Sequence, residues 1–502
     1  MRTGLVLVCC LISVAPVFAE DSADKKEQEK ASAEVQPVVT EHSAMIDGEE
    51  VRYTATAGKL TMKTDVGDEK AQIFYIAYTV NNKTAPQLRP LTFCFNGGPG
   101  SSSVWLQLGM LGPRRVMFPE DATLLRPPYR LHANPHSLLD VTDLVFIDPV
   151  STGYSRPAKD EKKDQFHGYD EDIRSVAQFI HDYTTRNERW LSPKLVLGES
   201  YGGTRAAGLA GQLRERYRME LNGVVLVSAV TDFQTIRFAS NNDLPYVLFL
   251  PTYAATAHYH SALPGDLQQQ PLEQVVAAAE KFATDEYSVA LLKGASLAEA
   301  ERNAIVEKLS RFTGLSKDYI EGSNLRVPMH RFGKELLRKR QQTVGRFDSR
   351  YTGVDRDNVG EAYDFDASGA AIFGPFTALF NDYVRRELEY KEDRVYEILT
   401  GNVHPWSFGR FENRYVDAAE TLREAMAANP YLQVFVAAGY YDLATPHFAM
   451  DYTLDHMPLP ADRRKNVTTY YYEGGHMMYI HEPSMVKLRK DLVELYASIM
   501  AI

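Results

Sequence analysis

The sequence predicts an α/β fold, in which a mostly parallel sheet is covered by helices and interrupted by a helical insertion. Short apolar runs recur along the chain and have the near-continuous hydrophobicity of strands that are buried on both faces. Segments with apolar residues at helical spacing separate several of these runs, and this alternation is typical of a parallel sheet. One long stretch near the middle of the chain carries only helical patterns, so it is expected to fold apart from the sheet.

The predicted strands are runs rich in aromatic and β-branched residues. Residues 170–183 and 204–213, which lie between successive strands, place apolar side chains at helical spacing. Strands that alternate with helices in this way indicate βαβ units. The strands are predicted at residues 71–80, 91–95, 143–148, 194–198, 223–228, 433–438 and 467–472.

The alternation stops near residue 231 and resumes near residue 372. Residues 271–283 and 297–312, within the interruption, have helical patterns. A segment of this length is too long for a loop, so we predict a helical lid. The acidic residues 355–371 are expected to link the lid back to the sheet. The predicted organisation is therefore a core of residues 40–231 and 372–502, with a lid insertion and return linker at residues 232–371.

The N-terminal segment is expected to lie outside the folded core. Residues 1–19 combine an early arginine, an apolar stretch and a small-residue cleavage pattern, which is typical of a secretory signal peptide. Residues 20–39 are charged and poor in large apolar side chains, so they are predicted to be a disordered tether. No later stretch approaches the roughly 18 apolar residues that a membrane-spanning helix needs. The sequence thus predicts an exported protein without a membrane span.

The cysteine content indicates the cellular compartment of the protein, and the net charge argues against some classes of binding partner. Cys9 and Cys10 lie in the predicted signal peptide, so only Cys94 remains and no intramolecular disulfide can form. This is ordinary for a bacterial periplasmic protein and unusual for a secreted eukaryotic one. The net charge of −11 argues against nucleic acid or anionic lipid as a partner. The sequence does not fix the oligomeric state, and a homodimer stays open.

A Gly-Glu-Ser-Tyr-Gly segment at residues 198–202 stands between a predicted strand and a predicted helix. In that context a G-x-S-x-G pattern predicts a nucleophile elbow, a sharp turn that exposes a serine at the top of a sheet. A hydroxyl is a poor nucleophile, so it needs a neighbouring base and a helix N-terminus that favours a developing negative charge. Ser200 is therefore the candidate nucleophile.

An acid and a histidine follow the elbow in the order that such sheets use. The predicted strand at 433–438 runs into Asp442, and the strand at 467–472 runs into His476. Side chains that follow the carboxyl ends of parallel strands meet at one edge of the sheet, where α/β proteins place their sites. Taken singly, the two residues are an ordinary turn aspartate and a surface histidine. Their order and placement together indicate a catalytic triad.

Besides a nucleophile and a base, the predicted chemistry needs backbone donors for a negatively charged oxygen. Residues 96–103, after the strand at 91–95, are the candidate segment. Gly97 and Gly98 are adjacent, so a backbone N–H can approach a substrate oxygen without a side chain in the way. A phosphate-binding loop is the competing interpretation, but the lysine and the following Ser or Thr of that motif are missing. The segment is therefore expected to form an oxyanion hole.

Five blocks of the chain, in the expected order, resemble the serine carboxypeptidase family. Residues 96–103 are similar to its Asn-Gly-Gly-Pro-Gly-x-Ser-Ser signature, and residues 198–203 to its Gly-Glu-Ser-Tyr-Ala/Gly-Gly elbow. Residues 148–155 resemble its Asp-Gln-Pro-Val-Gly-x-Gly-(Phe/Tyr)-Ser segment without the Gln. Residues 441–442 and 474–477 match its acid and histidine blocks.

The resemblance implies an α/β-hydrolase fold and a serine-type carboxypeptidase, which removes C-terminal residues from peptides. It implies that Ser200 is the nucleophile, His476 the base and Asp442 the acid that orients it. The backbone N–H groups of Gly98 and Tyr201 would form the oxyanion hole. This chemistry needs no cofactor and no metal.

Family members recognise the free C-terminal carboxylate of the peptide through an Asn and a Glu, which correspond here to Asn96 and Glu199. A glutamate can hold a substrate carboxylate only if the two share a proton. The resemblance therefore implies better peptide binding at acidic pH.

The chain departs from the family pattern at four positions. Cys94 stands where a Trp is usual, and Met110 replaces a second Glu that recognises the carboxylate. Ser101 and Thr445 stand where cysteines are usual, which fits a protein without disulfides. The loss of the second Glu weakens carboxylate recognition, and the adjacent arginines at 114 and 115 are candidates for a compensating cation.

Three alternatives follow from these observations. An esterase or acyltransferase on the same scaffold would use the same acyl-enzyme, and Met110 is the residue that favours it. A non-catalytic binding protein would need no intact triad, so the triad argues against it. His258 and His260 resemble a metal-binding pair, but without matching cysteines or carboxylates they are expected to be ordinary lid residues.

Overall fold

Strand order in the central sheet follows the chain only in part. The computed structural model describes residues 36–81 and 84–501, and the predicted signal peptide lies outside these residues. In the described part, ten strands form one sheet in the order β1-β2-β3-β7-β4-β9-β10-β13-β14, and β8 pairs with β3. The strands are β1 Val38–Ile46, β2 Glu49–Lys63, β3 Glu69–Val80, β4 Leu91–Phe95, β5 Arg114–Val116, β6 Leu131–Ala133, β7 Asp143–Ile147, β8 Arg156–Pro157, β9 Lys194–Glu199, β10 Gly223–Val227, β11 Thr343–Val344, β12 Thr352–Gly353, β13 Gln433–Gly439 and β14 Val467–Tyr472.

Helices cover both faces of this sheet and fill the segment between β10 and β13. No helix in the described ranges is long and apolar enough to cross a membrane. The helices are α1 Val104–Leu106, α2 Tyr169–Arg186, α3 Tyr201–Tyr217, α4 Leu244–Tyr259, α5 Gly265–Gln268, α6 Leu272–Phe282, α7 Ser288–Lys293, α8 Glu299–Thr313, α9 Lys317–Gly322, α10 Met329–Glu335, α11 Ala367–Arg386, α12 Ala419–Ala428, α13 His447–Asp455, α14 Ala461–Arg464 and α15 Glu482–Met500.

The predicted parallel α/β sheet is confirmed. Strands β7, β4, β9, β10, β13 and β14 pair in parallel along the path of the sheet. Every residue of β4, β7, β9 and β10 is buried, as expected for strands covered on both faces. Two large hydrophobic clusters, built on opposite side-chain sets of these strands, form the core. Phe93 and Val196 belong to one cluster, whereas Cys94 and Leu197 belong to the other.

An antiparallel extension precedes the parallel strands, and most of it escaped the sequence analysis. Strands β1, β2 and β3 pair antiparallel, and β3 joins β7 in the same way. β1 alternates exposed with partly buried residues, so its hydrophobic signal is weak. Because β1 begins at Val38, the last two residues of the predicted tether belong to the sheet rather than to a disordered segment.

The inserted segment carries helices α4 to α10 and supplies most of one hydrophobic cluster, which Leu443 from the loop after β13 also joins. Phe249, Tyr253 and Phe332 belong to that cluster, and the rings of Tyr253 and Phe332 stack at 4.0 Å. The predicted return linker ends too late, since α11 begins at Ala367 with the Asp366 side chain as its N-cap. Residues 37–502 form one compact unit. The division into a core and a lid domain therefore stays a prediction.

A buried ion pair joins two helices beneath the loop that follows β4. Arg205 of α3 and Asp172 of α2 are 1% and 3% exposed, and Arg205 Nε lies 2.7 Å from Asp172 Oδ2. The same guanidinium donates through Nη1 to the backbone carbonyl of Asn96 at 2.6 Å. The pair therefore connects the helical layer to the first residue of the predicted oxyanion segment.

We expect Asp172→Asn to lower the free energy of unfolding by about 3–5 kcal/mol, because it leaves the Arg205 charge buried and unpaired. Urea denaturation followed by circular dichroism measures the change. Glu171→Gln, which removes the partly exposed partner of Arg174 on the same helix, is the matched control and should cost less than about 1 kcal/mol. Equal losses for the two variants would contradict a structural role for the buried pair.

Candidate active site

A pocket of about 360 Å³ opens where the loops after β4, β9 and β14 meet. Most of the residues predicted for the site line it, namely Asn96, Gly98, Glu199, Ser200 and His476. Asp442 lies behind His476 and is fully buried. A second, larger depression elsewhere is shallow, is lined mainly by charged surface residues and holds none of the predicted site residues.

The turn between β9 and α3 has the geometry of a nucleophile elbow. Ser200 follows the last residue of β9 and adopts φ 62° and ψ −128°, a conformation that L-residues rarely take. The strain is held by local hydrogen bonds, since the Ser200 N–H donates to Val227 O at 3.0 Å and the Gly203 N–H donates to Ser200 O at 2.9 Å. Ser200 is partly exposed, whereas Glu199 and Tyr201 on either side are buried. The turn thus presents the hydroxyl to the pocket.

Asp442 and His476 form a direct hydrogen bond from two neighbouring strand ends. His476 Nδ1 lies 2.7 Å from Asp442 Oδ2, and the two side chains are 4% and 0% exposed. The other carboxylate oxygen of Asp442 accepts from the backbone N–H groups of Ala444 at 2.7 Å and Thr445 at 3.0 Å. With Nδ1 engaged in this way, Nε2 is the ring atom left to face the pocket.

The electrostatics of the histidine favour its protonated form. Burial lowers the pKa of His476, but the charge and the hydrogen bond of Asp442, together with the charge of Glu199, raise it. The net result is a pKa raised above the usual 6.5. Because its pKa is raised, the neutral His476 imidazole is a stronger base towards a neighbouring hydroxyl than a free imidazole is.

Thr445 is a member of this group that the sequence analysis treated only as a lost cysteine. Its hydroxyl lies 2.7 Å from Asp442 Oδ2, 3.1 Å from His476 Nδ1 and 2.7 Å from Ser228 O. It therefore ties the acid and the imidazole to the end of β10. Its spacing of three residues from Asp442 was the available signal.

A hairpin formed by residues 343–353, which we call the bracing hairpin, holds the histidine loop. The His476 N–H donates to Phe347 O at 2.5 Å, and the Phe347 and His476 rings lie 5.3 Å apart. Asp348, paired with Arg350 at 2.7 Å, accepts from the Gly475 N–H at 3.2 Å. A Cβ on Gly475 would come within 2.3 Å of Phe347 O, which explains the glycine before the histidine. Sequence reasoning placed this hairpin in the lid and assigned it no role in the site.

The predicted oxyanion segment lies directly against the elbow. A Cβ on Gly97 would lie 2.4 Å from Tyr201 N, so only glycine allows the two backbones to approach this closely. The N–H groups of Gly98 and Tyr201 have no acceptor among the described residues. Two free donors beside a helix N-terminus and an exposed hydroxyl make an environment that stabilises negative charge.

Asn96 and Glu199 form a polar corner of the same pocket, together with Tyr479. The Tyr479 hydroxyl donates to Glu199 Oε2 at 2.6 Å. Asn96 Oδ1 accepts from the Leu106 N–H at 3.1 Å, whereas its buried Nδ2 lies near Glu199 without a well-formed hydrogen bond among the described residues. Tyr479 was missed by sequence reasoning, although it follows His476 within one turn.

Burial is the largest influence on the pKa of Glu199 in this polar corner. It raises the pKa of Glu199 to about 7, against the opposing effects of the nearby His476 and the Tyr479 hydrogen bond. The carboxyl is therefore neutral below about pH 7 and can donate its proton to an anionic ligand. The orphaned Asn96 amide offers a second donor next to it.

The residues that depart from the family pattern, and the arginines suggested to compensate for them, have different surroundings in the structure. Ser101 accepts a hydrogen bond from Trp105 Nε1 at 2.9 Å, so it orders the pocket wall. Cys94 is buried and free, and Met110 packs in the hydrophobic core rather than lining the pocket. Arg114 and Arg115, proposed as compensating cations, pair instead with Glu387 and Glu482 at 2.9 and 2.8 Å.

Candidate metal ligands lie away from the pocket. His258 and His260 each contact a backbone carbonyl, Gln270 O at 3.0 Å and Ser349 O at 2.7 Å. A separate group of Glu280, His447 and Asp451 places its ligand atoms within 4.8 Å of one another. There His447 Nε2 contacts Glu280 at 3.1 Å and Tyr471 donates to Asp451 at 2.8 Å, so these contacts join α6 to α13.

Comparison with protein families identifies the chain over most of its length. A family model described as serine carboxypeptidase matches residues 48–488. The resemblance expected from the five sequence blocks is thereby confirmed. The matched range includes every residue discussed above for the site.

Individual relatives match shorter segments. The pheromone-processing carboxypeptidase KEX1 of Saccharomyces cerevisiae is 33% identical over 158 residues, which cover 29% of this chain and 20% of the yeast protein. Carboxypeptidase Y of Candida albicans is 27% identical over 172 residues, or 34% of this chain and 29% of that protein. The chain thus aligns with less than a third of the length of these two relatives.

A solved structure agrees with the fold. The crystal structure of Kex1(Δ)p, a prohormone-processing carboxypeptidase from S. cerevisiae, superposes with a TM-score of 0.57 at 17% identity and covers 89% of this chain and 91% of the yeast chain. At this identity the likeness concerns the fold alone. It agrees with the α/β-hydrolase fold expected from the sequence.

Proposed function

Because this chain belongs to the serine carboxypeptidase family, we propose that it is an exported serine-type carboxypeptidase. Its substrates are peptides with a free C-terminal carboxylate, and its reaction proceeds through an acyl-enzyme on Ser200. The observation that carries the proposal is the hydrogen-bonded pair of His476 and Asp442, in which the imidazole shares one pocket with Ser200.

In the first step the Ser200 hydroxyl attacks the carbonyl carbon of the last peptide bond, while His476 Nε2 takes the hydroxyl proton. Asp442 keeps the imidazole in the required tautomer and stabilises its positive charge. The negative oxygen of the tetrahedral intermediate lies between the N–H groups of Gly98 and Tyr201. His476 then gives the proton to the departing amine, so the C-terminal residue leaves and the acyl-enzyme remains.

In the second step water attacks the ester carbonyl of the acyl-enzyme, and His476 takes the proton of that water. Collapse of the second tetrahedral intermediate returns the proton to Ser200 and releases the shortened peptide. Every proton in this cycle moves through one imidazole, which is why no cofactor is needed.

Asn96 and Glu199 provide the preference for a free C-terminus. A neutral Glu199 donates its proton to the substrate carboxylate, and Asn96 Nδ2 supplies a second donor. The rest of the pocket wall is largely apolar and includes Trp105, Ile372 and Phe373. These side chains suit the aliphatic part of the C-terminal residue.

Replacement of the nucleophile tests the proposed function. We expect Ser200→Ala to abolish labelling by a fluorophosphonate probe and to lower hydrolysis of N-blocked dipeptides by about 10⁴-fold or more. Mass spectrometry of a mixed peptide library measures the products. Ser498→Ala, an exposed serine on α15, is the control and should behave as the unmodified chain.

The same assay separates the alternatives. An esterase or acyltransferase would turn over small esters and release nothing from peptides with a free carboxylate. A folded protein that the probe does not label would indicate a binding role instead.

Ionisation of Glu199 should make the KM for peptides with a free carboxylate rise with pH. As pH rises through about 7 the buried carboxyl ionises and repels the substrate carboxylate, so KM for free-carboxylate peptides should rise by up to about tenfold per pH unit above that value. Esters, which lack the carboxylate, should show no such rise. Glu199→Gln keeps a neutral side chain and should flatten the profile, whereas Glu215→Gln on the exposed face of α3 should retain it. A parallel rise in the ester KM would exclude Glu199 as the cause.

We further propose that residues 1–19 direct export to the bacterial periplasm. The absence of disulfide partners for Cys94 and the signal-like pattern support this. N-terminal sequencing of the protein from a bacterial periplasmic fraction should give a chain that begins at Glu20. A full-length cytoplasmic product would contradict the proposal.

A further inference from the structure

One cationic side chain lines the pocket and has no use in the mechanism above. Arg346 is the only Lys or Arg among the described residues that form the pocket wall, and Glu199 is the only Asp or Glu. The Arg346 side chain is partly exposed and lies over the Phe347 ring, with its guanidinium carbon 5.4 Å from the ring centroid. Its guanidinium makes no ion pair or hydrogen bond with any described residue.

The backbone of Arg346 is fixed next to the triad. Its N–H donates to Asp366 Oδ1 at 2.9 Å, and its carbonyl accepts from the Leu443 N–H at 3.0 Å. Leu443 directly follows the catalytic aspartate, and Phe347 accepts the hydrogen bond of the His476 N–H. The guanidinium is therefore carried by the bracing hairpin on a rigid base, and it lies close enough to His476 to oppose protonation of the imidazole.

Arg346 differs from three buried arginines of the chain, because each of those has a carboxylate partner. Arg115, Arg205 and Arg350 are each buried and paired with a carboxylate at 2.7–2.8 Å. Asp366, the acidic residue that contacts the Arg346 backbone, uses the same oxygen to cap α11 through Ser368. An arginine that faces a ligand pocket with its fork of donors unused is available for a planar anion, and a carboxylate matches that fork.

We propose that Arg346 forms a carboxylate subsite, in which its guanidinium holds a carboxylate of the C-terminal residue of the bound peptide. The inference rests on the proposed function and extends it. The carboxylate has two sources, the α-carboxylate itself or the side chain of a C-terminal Asp or Glu. Both are planar anions, and both enter the pocket that Asn96 and Glu199 share with Arg346.

Arg346 and Glu199 would hold a carboxylate over different ranges of pH. A glutamate holds a carboxylate only through a shared proton, so it works best at acidic pH. A guanidinium stays charged at every physiological pH and binds the ionised carboxylate directly. Arg346 would therefore keep peptide binding usable near neutral pH, where Glu199 begins to ionise.

The test compares three N-blocked substrates at pH 7 with the full chain. Phe-Leu carries only the α-carboxylate, Phe-Glu carries an additional side-chain carboxylate, and the methyl ester of Phe carries neither. The variants are Arg346→Gln, Arg346→Lys and the control Arg356→Gln, whose side chain is 86% exposed outside the pocket. Fluorophosphonate labelling of each variant reports whether the triad is still assembled.

If Arg346 holds the α-carboxylate, Arg346→Gln should raise KM about 10- to 100-fold for both dipeptides and leave the ester unchanged. If it holds a side-chain carboxylate, only the KM for Phe-Glu should rise. Arg346→Lys should recover part of the loss in either case, because a charge remains without the planar fork. The control should match the unmodified chain.

Unchanged KM values for both dipeptides, in an Arg346→Gln variant that the probe still labels, would overturn the subsite and leave the proposed function intact. Equal rises for the ester and the dipeptides would also overturn it, since they would show damage to the triad. Failure of the proposed function is a different result, in which the unmodified chain hydrolyses the ester and neither dipeptide.

Discussion

The close approach of two loops, one after β4 and one after β9, is the constraint on which the rest of the site depends. Gly97 lies so near the first turn of α3 that a Cβ would come within 2.4 Å of Tyr201 N. This contact sets the two free N–H groups beside the strained Ser200 turn. Arg205, which pairs with Asp172, donates a hydrogen bond to Asn96 O and so holds the loop after β4 against the helices. The candidate oxyanion donors and the candidate nucleophile are thus positioned by backbone rather than by flexible side chains.

Asp442 and Glu199, the two buried acidic residues near Ser200, have different hydrogen-bond partners. On one side, both oxygens of the Asp442 carboxylate have hydrogen-bond partners, from His476, Thr445 and backbone N–H groups, and this carboxylate raises the pKa of His476. On the other side, Glu199 has one hydroxyl donor and a pKa of about 7, so it stays neutral over the acidic range. The two carboxyl groups of one site thus lie in different surroundings, one bonded to an imidazole and the other to a tyrosine hydroxyl.

The bracing hairpin links the inserted segment to the chemistry. Through Phe347 and Asp348 it holds the histidine loop, and through Arg346 it presents an unpaired cation to the pocket. The hairpin follows helices α4 to α10 of the inserted segment, and its residues Arg346 and Phe347 line the pocket, so this segment contributes to the pocket wall.

Local sequence determined the parallel sheet, the elbow and the order of Ser200, Asp442 and His476, because buried strands and sharp turns leave short-range signals in apolar runs and glycines. It did not reveal β1 and β2, whose half-exposed strands carry a weak hydrophobic pattern. Only the tertiary structure decided that Thr445, Tyr479 and Arg346 join the site, and that Arg114 and Arg115 do not. Those assignments depend on which distant segments pack together. The hydrophobic periodicity of one segment does not indicate which other segment it contacts.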